Sequence, residues 1–517
     1  MTNIDKNSAK AAAQQKQAES IKAAIRAAGY VAIDQNGVAR FITHLGNQLV
    51  ALRLESQKAK DIIQADVAVA TGKSVSKQTL EREIEVMRGH AHINKKTCTV
   101  YVRVAGRNGI YQLDLSNDTG EIVEISAGKW NVIKNTSINF APVSCSIPTP
   151  IKPSSLIQGY RMLCAFYSWL GIPKPLHLIF TIVLVEYLRP ETAYPILDLI
   201  GASGSGKTSA GRAVITLIDP ASGKIPETNI DDEDIAAIAQ SRHILSTDNN
   251  TSFSGEKQDL LCKVAYGCTL TPRKFYTQTE VEQLPVHNPV IVTSINPAIT
   301  RSDLLARTIR VPFAQRKGGY ISEEDVTQYI ETKHPYVLGA LLECLSAGLK
   351  NLPQVKQARV WTQRLVDFAQ MGEAISQALG NAPDAFVKSL EALRENTAHD
   401  IVEGDPLAEA LIKVIRDKMA SAQVGKLPHY RNWAPSPGWS AVEEVGRGKC
   451  LAIKPKVLLD AIHHTRVIID PQWLPKSPRA LSSAINLKLP LLADLGINGA
   501  IKNLGGKGHS AWVFTLK

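Results

Sequence analysis

The sequence lacks the features that mark disulfide-rich, zinc-binding, secreted and membrane-spanning proteins. Its seven cysteines are an odd number and form no CxxC pair, which argues against a disulfide framework or a zinc site and suits a reducing compartment. The first 20 residues contain no apolar core of the kind that a secretory signal needs. The most apolar run, Leu176–Leu188, is shorter than the about 20 residues that cross a bilayer. We therefore expect a buried helix there, and a soluble cytoplasmic protein without a membrane partner.

The bulk composition is that of a globular protein with an excess of positive charge. Of 517 residues, 44% are hydrophobic and 21% are charged, with a net charge of +11. The length predicts about three domains. The positive charge favours an anionic partner, although a diffuse excess of lysine also serves solubility alone.

Changes in hydrophobic period divide the chain into segments of different character. Residues 1–28 are predicted to be helical, and 29–97 helical with loops. Between 98 and 133, three segments of period two separated by turn residues predict a β-meander. The proline-rich stretch Cys145–Ser155 predicts a linker. The predicted segments are an N-terminal α+β domain at 1–150, a helical linker at 151–193, an α/β core at 194–320, a helical region at 321–425 and a C-terminal domain of mixed type at 426–517.

The stretch GASGSGKT, at Gly201–Thr208, predicts a phosphate-binding loop. Its glycines allow backbone N–H groups to converge on one phosphate, and it lies between an expected strand, YPILDLI, and an expected helix, SAGRAVITLI. The lysine of this motif reaches the β and γ phosphates, and its threonine coordinates Mg²⁺, so we expect ATP and Mg²⁺ as ligands. The predicted phosphate-binding residues are Gly201, Ser203, Gly204, Ser205, Gly206, Lys207 and Thr208. A similar stretch, TGKS at Thr71–Ser74, has Val67 where the first glycine belongs, and we assign it no phosphate role.

A nucleotide-driven motor needs three further groups after such a loop. RHILSTDNN places Asp248 at the end of an apolar run, as a ligand in the water shell of the metal. NPVIVTSIN places Asn296 as a polar sensor of the γ-phosphate on a neighbouring strand. RSDLLARTI offers Arg307, with Arg301 as second choice, to complete the site of an adjacent subunit.

The series GASGSGKT, HILSTDN, PVIVTSIN and LLAR resembles the superfamily 3 helicase branch of AAA+ ATPases. It is most similar to the ATPase parts of primase–helicase proteins of phages, satellites and integrated elements, over residues 60–517. The resemblance implies an α/β P-loop AAA+ core, with an N-terminal α+β collar and a C-terminal winged helix. It also implies a ring, as a hexamer, that binds ATP between neighbours and single-stranded DNA in its channel.

Two departures from the family pattern concern hydrolysis and DNA grip. Asn249 stands where many AAA+ ATPases have a glutamate that orients the attacking water, so hydrolysis is slow or another acid, such as Glu256, serves. The hairpin that faces the channel in this family corresponds to Thr271–Pro289, whose middle is acidic. Its predicted DNA-binding cations are Arg273 and Lys274, with His287 as a further option.

The C-terminal region predicts a winged helix that binds duplex DNA. Two helices, the second opened by Ser477 and Pro478, precede a hairpin with a glycine-rich tip. From residue 441 onward, 11 Lys or Arg stand against 5 Asp or Glu, which favours DNA contact over packing against the ring alone. The candidate contacts are Lys476, Arg479, Lys488 and Lys507.

Other functions receive less support from the residues. GHAH at Gly89–His92 is similar to the paired histidines of replication nucleases, but nothing nearby completes such a site. No paired-aspartate strand supports a primase in this chain, so a separate primase or other replication protein is the expected partner. An ATP-switched DNA-binding initiator with little hydrolysis remains the alternative to a helicase. A protein remodeller is a third possibility, which would leave the basic C-terminal region unexplained.

Overall fold

The computed structural model describes most of the chain and separates it into two compact units. The described residues are 3–134, 136–220, 235, 238–270, 284–316, 321–403, 405–421, 440–445, 448–465, 475–503 and 510–516. The first unit comprises Met1–Asn250, Leu260–Asn296 and Val311–Pro383. The second unit comprises Thr251–Asp259, Pro297–Arg310 and Asp384–Lys517. Within the described residues, no helix has both the length and the apolar character needed to cross a membrane.

The N-terminal part of the first unit is an α+β layer rather than the largely helical segment expected at 29–97. Its helices are α1 (Asn3–Ala28), α2 (Gln57–Thr71) and α3 (Lys77–Ile93). Its strands are β1 (Gly29–Ile33), β2 (Ala39–Leu45), β3 (Gln48–Arg53), β4 (Val100–Tyr101) and β9 (Asn139–Phe140), in the order β1-β2-β3-β9-β4. The first five residues of β2 are all buried, so this strand lacks the alternation that identifies a half-exposed strand. The prediction for 29–97 was therefore wrong about β1, β2 and β3.

The predicted meander is confirmed as an antiparallel sheet of four strands. These are β5 (Val104–Arg107), β6 (Ile110–Asp114), β7 (Ile122–Ser126) and β8 (Lys129–Ile133), in sequence order. The proline-rich stretch that follows has no helix or strand, as expected of a linker, but it packs on the fold. Ile147 is fully buried, and its N–H donates to the Leu115 carbonyl at 2.7 Å.

A fully buried arginine joins the meander to the α/β core that follows it in the chain. The guanidinium of Arg103 donates to the carbonyls of Asp114 and Cys145 at 3.0 and 2.7 Å. Its Nε lies 3.5 Å from Asp219 Oδ1, and Oδ2 of the same carboxylate accepts from the N–H groups of His243 and Ile244. Arg103, Asp114 and Asp219 are all buried, and separating a buried, paired guanidinium from its carboxylate is costly.

The α/β core contains a mostly parallel sheet. Its strands are β10 (Ile196–Gly201), β11 (Leu245–Asn250), β14 (Val290–Ser294) and β15 (Thr308–Phe313), in the order β11-β14-β10-β15. A short antiparallel pair is formed by β12 (Cys268–Leu270) and β13 (Leu284–Val286). The helices in this part of the chain are α4 (Leu156–Leu170), α5 (His177–Glu186), α6 (Lys207–Ile218), α7 (Gly255–Tyr266) and α8 (Ser302–Leu305). The last of these, α8, belongs to the second unit. Helix α5 is buried along nearly its whole length, as predicted from its apolar run.

The helical region predicted at 321–425 contains four helices among the described residues. They are α9 (Glu323–Gln357), α10 (Val366–Ala378), α11 (Ala385–Glu403) and α12 (Pro406–Ser421). Ser322 caps α9 by accepting the N–H of Asp325 at 3.0 Å.

The C-terminal elements are β16 (Ser440–Val445), β17 (Gly448–Ile453), α13 (Pro455–His463), α14 (Pro478–Asp494), β18 (Ile497–Asn503) and β19 (Ser510–Leu516). The two expected helices and the final hairpin are present, and Ser477 caps α14 as predicted, accepting the N–H of Ala480 at 3.2 Å. The strands form one sheet in the order β16-β17-β19-β18, whose first two strands the sequence patterns had not indicated. Fully buried Trp512 and Phe514 from β19 stack in its core.

Candidate nucleotide-binding site

The loop Gly201–Thr208 connects β10 to the first turn of α6, as the motif predicts. Gly204 and Gly206 have φ values of 74° and 96°, a left-handed backbone that glycine adopts without strain. A Cβ added to Gly201 would lie 2.6 Å from the Phe313 carbonyl oxygen and 2.8 Å from Ser205 Oγ. Only glycine therefore fits at this position. The loop is thus placed so that the N-terminal N–H groups of a helix of 12 residues face it.

Polar groups buried in the loop are positioned for an anion. Lys207 is 4% exposed and Ser205 is 1% exposed, and Ser205 Oγ has no hydrogen-bond partner among the described residues. A buried hydroxyl without a partner is uncommon and costs free energy unless a ligand or water satisfies it. Both side chains fit a loop that accommodates phosphate oxygens.

Asp248 lies on β11 beside the loop, where the sequence places a metal ligand. Its Oδ1 accepts a hydrogen bond from Thr208 Oγ1 at 3.1 Å, so the two predicted Mg²⁺ ligands are brought together. A hydroxyl and a carboxylate are the oxygen ligands that Mg²⁺ takes alongside waters and phosphates. The residues therefore fit a nucleotide-bound Mg²⁺.

Thr293, which was not predicted, holds Asp248 from the neighbouring strand. Its hydroxyl donates to Asp248 Oδ1 and accepts the N–H of Asn249 at 3.1 Å. It is 1% exposed and lies in β14, parallel to both β10 and β11. The only sequence signal was a hydroxyl residue inside the apolar run VIVTS, which by itself indicates no function.

Asn249 has an unusual backbone conformation directly after Asp248. Its φ is 53°, in the left-handed region that asparagine tolerates better than most residues. The register between β11 and β14 shifts between Thr247 and Asn250, so a bulge redirects the chain at this point. The Asn249 side chain is exposed, whereas Asn250 is 2% exposed and donates to the Thr293 carbonyl at 3.0 Å.

Asn296 lies two residues beyond the end of β14 and is exposed. Because β14 runs parallel between β10 and β11, the ends of all three strands lie at the same edge of the sheet. Asn296 is thus on the edge that carries the loop, and its role as a sensor stays a prediction.

The two arginine candidates for an adjacent subunit lie in the second unit. Arg301 is paired with Asp259 at 2.9 Å and with Asp303 at 3.4 Å, which leaves it less suited to a further anion. Arg307 is partly buried, and its N–H donates to the Leu304 carbonyl at 2.9 Å. Glu256, the alternative acid, is exposed in the first turn of α7.

Helix α6 is held at its far end by a buried histidine. His334 Nε2 lies 3.0 Å from the Thr216 carbonyl, and burial lowers the pKa of His334 to about 4. His334 is therefore neutral at physiological pH and donates to the last turn of α6.

The predicted DNA contacts are only partly visible. Arg273, Lys274 and Lys507 lie outside the described residues. Lys476 and Arg479 are exposed at the start of α14, whereas Lys488 is paired with Asp405. His287 is partly buried and packs against Tyr194, with ring centroids 4.5 Å apart.

A comparison with protein families gives one match in the central part of the chain. Residues 175–396 match the family model described as "Actinomycete integrative conjugative element replication protein". The matched range is less than half of the chain, and it contains the loop, Asp248, Asn296 and Arg307. A search of curated proteins found no significant match.

Solved structures of low identity overlay on the chain. One is described as "SCCmec type IV Cch - active helicase", with 13% identity, a TM-score of 0.39, and coverage of 95% of this chain and 92% of that one. The apo structure of the NrS-1 C-terminal region has 11% identity, a TM-score of 0.36, and coverage of 94% and 96%. The JCV helicase has 18% identity, a TM-score of 0.23, and coverage of 43% and 60%. None of these TM-scores reaches 0.5.

Proposed function

We propose that this protein is an ATP-dependent DNA helicase or replication ATPase of a mobile genetic element, acting as a ring with six subunits. The observation that carries the proposal is the contact of Thr208 Oγ1 with Asp248 Oδ1 beside a glycine-rich loop that precedes a helix. The match to integrative conjugative element replication proteins over residues 175–396 supports a replication function.

The loop residues have separate tasks in this proposal. Backbone N–H groups of the loop and Lys207 bind the phosphates of ATP, while Thr208 and Asp248 hold Mg²⁺ and its waters. Bound Mg²⁺ neutralises charge on the phosphate oxygens. Thr293 holds the Asp248 carboxylate in place by a hydrogen bond. Asn296, at the same edge of the sheet, is proposed to contact the γ-phosphate.

The neighbouring subunit and DNA complete the proposed motor. Arg307 is proposed to reach the γ-phosphate bound by the next subunit, a contact worth about 10³–10⁵ in rate where it operates. Arg273 and Lys274 are proposed to contact single-stranded DNA in the ring channel. The C-terminal domain, as a winged helix, is proposed to contact duplex DNA, with a separate primase or other replication protein as partner.

The test is steady-state ATP hydrolysis with and without single-stranded DNA, with Lys207→Ala as the blank. We expect turnover that increases with DNA and falls to background in the variant. Turnover equal to the blank, with ATP still bound by the wild type, would contradict the autonomous motor.

One observation favours an ATP-switched DNA-binding regulator as the second candidate. Asn249, with its amide side chain, cannot accept a proton from an attacking water. Asn249→Gly separates the two functions, because glycine keeps the left-handed backbone and removes the amide. In the motor, the turnover of Asn249→Gly falls about tenfold, the effect of losing one hydrogen bond to the reacting water. In the switch, nucleotide binding and slow turnover stay as in the wild type.

A further inference from the structure

An arginine outside the predicted motif lies against the phosphate loop. Arg316 follows the end of β15 by three residues. A Cβ added to Gly206 would lie 3.0 Å from both Nε and Nη2 of Arg316. The guanidinium therefore touches the loop at the residue directly before Lys207, and both groups belong to the first unit.

One nitrogen of this guanidinium is buried without a partner. Arg316 Nη2 has no hydrogen-bond partner among the described residues and is shielded from solvent. Guanidinium nitrogens are among the groups that proteins most rarely leave buried and unpaired, because the desolvation cost is not recovered. The carboxylate beside the loop accepts at Oδ1 from Thr208 and Thr293 instead, and no described residue pairs with Arg316 Nη2.

An aromatic pair flanks the guanidinium on another side. Arg316 Cζ lies 6.0 Å from the centre of the Trp169 ring at the end of α4. Trp169 is stacked on Tyr329 of α9, with ring centroids 3.8 Å apart and an interplanar angle of 16°. Both rings are partly buried. The face of an aromatic ring attracts a guanidinium without neutralising its charge. This attraction favours the position of Arg316 beside the loop.

We propose that Arg316 is a ligand for the phosphates of the nucleotide bound in the loop of its own subunit. The phosphate oxygens supply the acceptor that Nη2 lacks, and the fork of the guanidinium suits two such oxygens. This role differs from that of Arg307, which is proposed to act on the site of a neighbour. It rests on nucleotide binding at the loop, the function proposed above.

The experiment measures binding of a fluorescent ATP analogue with Mg²⁺ to the full chain. Arg316→Ala is expected to raise Kd about 10- to 100-fold, the loss of one or two charge-assisted hydrogen bonds. Arg316→Lys recovers only part of the affinity, because a point charge does not reproduce the fork. Arg316→Gln keeps much of the side-chain length without the charge, and tests the contact if the alanine variant does not fold.

The matched control is Arg212→Ala. Arg212 lies on α6, and its guanidinium is 3.8 Å from Glu323, so we expect a Kd within twofold of the wild type. A purely structural role for Arg316 would lower the melting temperature without ligand and leave the salt dependence of Kd unchanged. Loss of the charged contact instead lowers that salt dependence in Arg316→Gln.

The outcomes separate this inference from the proposed function. If wild type binds the analogue, Lys207→Ala does not, and folded Arg316→Ala or Arg316→Gln binds as wild type, the role of Arg316 is wrong and the loop assignment stands. If wild type and Lys207→Ala both fail to bind, nucleotide binding itself is contradicted, and the role of Arg316 is overturned with it.

Discussion

The candidate nucleotide site of the first unit and the cationic residues of the second unit are organised in opposite ways. At the nucleotide site, Lys207, Asp248 and Thr293 are all less than 9% exposed, and Asp248 and Thr293 are bonded to each other. In the second unit, Lys476 and Arg479 are exposed, and Lys488 is paired with an aspartate 83 residues away in sequence. Buried groups that are bonded to each other depend on one another, so changing one affects the others. Exposed charges contribute separately, and salt screens them.

The largest effect is expected at Asp248. Asp248→Asn should lower ATP turnover by about 10²–10³-fold, because the amide loses the charge that faces the metal. The control is Asp61→Asn, which changes an exposed aspartate on α2 and should leave turnover unchanged. If a steady-state assay shows the same loss of ATP turnover in both variants, the buried carboxylate is no more important than the exposed one, and the contrast is wrong.

The next largest effect is expected at His334, where the local stability of the fold should depend on pH. The pKa of His334 is about 4 in the fold, compared with an ordinary value of 6.5, because burial disfavours the charged ring. Between pH 6.5 and 4, the unfolded chain therefore binds a proton at His334 more readily than the folded chain does. The free energy of unfolding falls as the pH decreases through this range. The loss is about 3 kcal/mol at pH 4.

Hydrogen–deuterium exchange of the α9 amides at pH 4–7 measures this loss. His334→Gln should show a smaller change in protection over the range, because it has no group to titrate. An identical pH dependence in both proteins would exclude His334 as its source.

A smaller effect is expected at Thr293. Thr293→Val removes the hydroxyl that bonds Asp248 and Asn249, and turnover should fall about tenfold at a fixed Mg²⁺ concentration. Thr293→Ser keeps the hydroxyl and should stay near the wild type. Raising the Mg²⁺ concentration should recover part of the loss in Thr293→Val, and the absence of any loss would show that Asp248 does not need this support.

The smallest effects are expected among the cations of the second unit. Lys476→Ala or Arg479→Ala should each reduce the slope of log Kd against log salt by about 0.9 for duplex DNA. Lys488→Ala should change the slope less, because Asp405 already pairs with this lysine. Titrations of the full chain with duplex DNA at several salt concentrations measure these slopes. A larger change in slope for Lys488→Ala than for Lys476→Ala would contradict the expected order.

The parts that could be predicted from sequence are those set by neighbours along the chain. The glycines of the loop, the cap at Ser477 and the turns of the meander depend on a few adjacent residues. Strands β1 to β3 were missed because a strand buried on both faces has no alternating pattern. Thr293, Arg316 and the pairing of Lys488 were missed because their partners are distant in sequence, and an isolated threonine, arginine or lysine carries no local signal.

The buried joint between Arg103 and Asp219 has a mechanical consequence. Helix α6 begins at Lys207 and is followed directly by Asp219, so the phosphate end and the jointed end are the two ends of a single rod about 18 Å long. Asp219 is also tied to the start of the strand that carries Asp248, through the N–H groups of His243 and Ile244. A displacement of this helix along its axis would therefore act directly on the Arg103–Asp219 pair, which connects it to the meander. If the loop binds ATP as proposed, a protein bound to the meander would be linked to the nucleotide through this one helix and the Arg103–Asp219 pair.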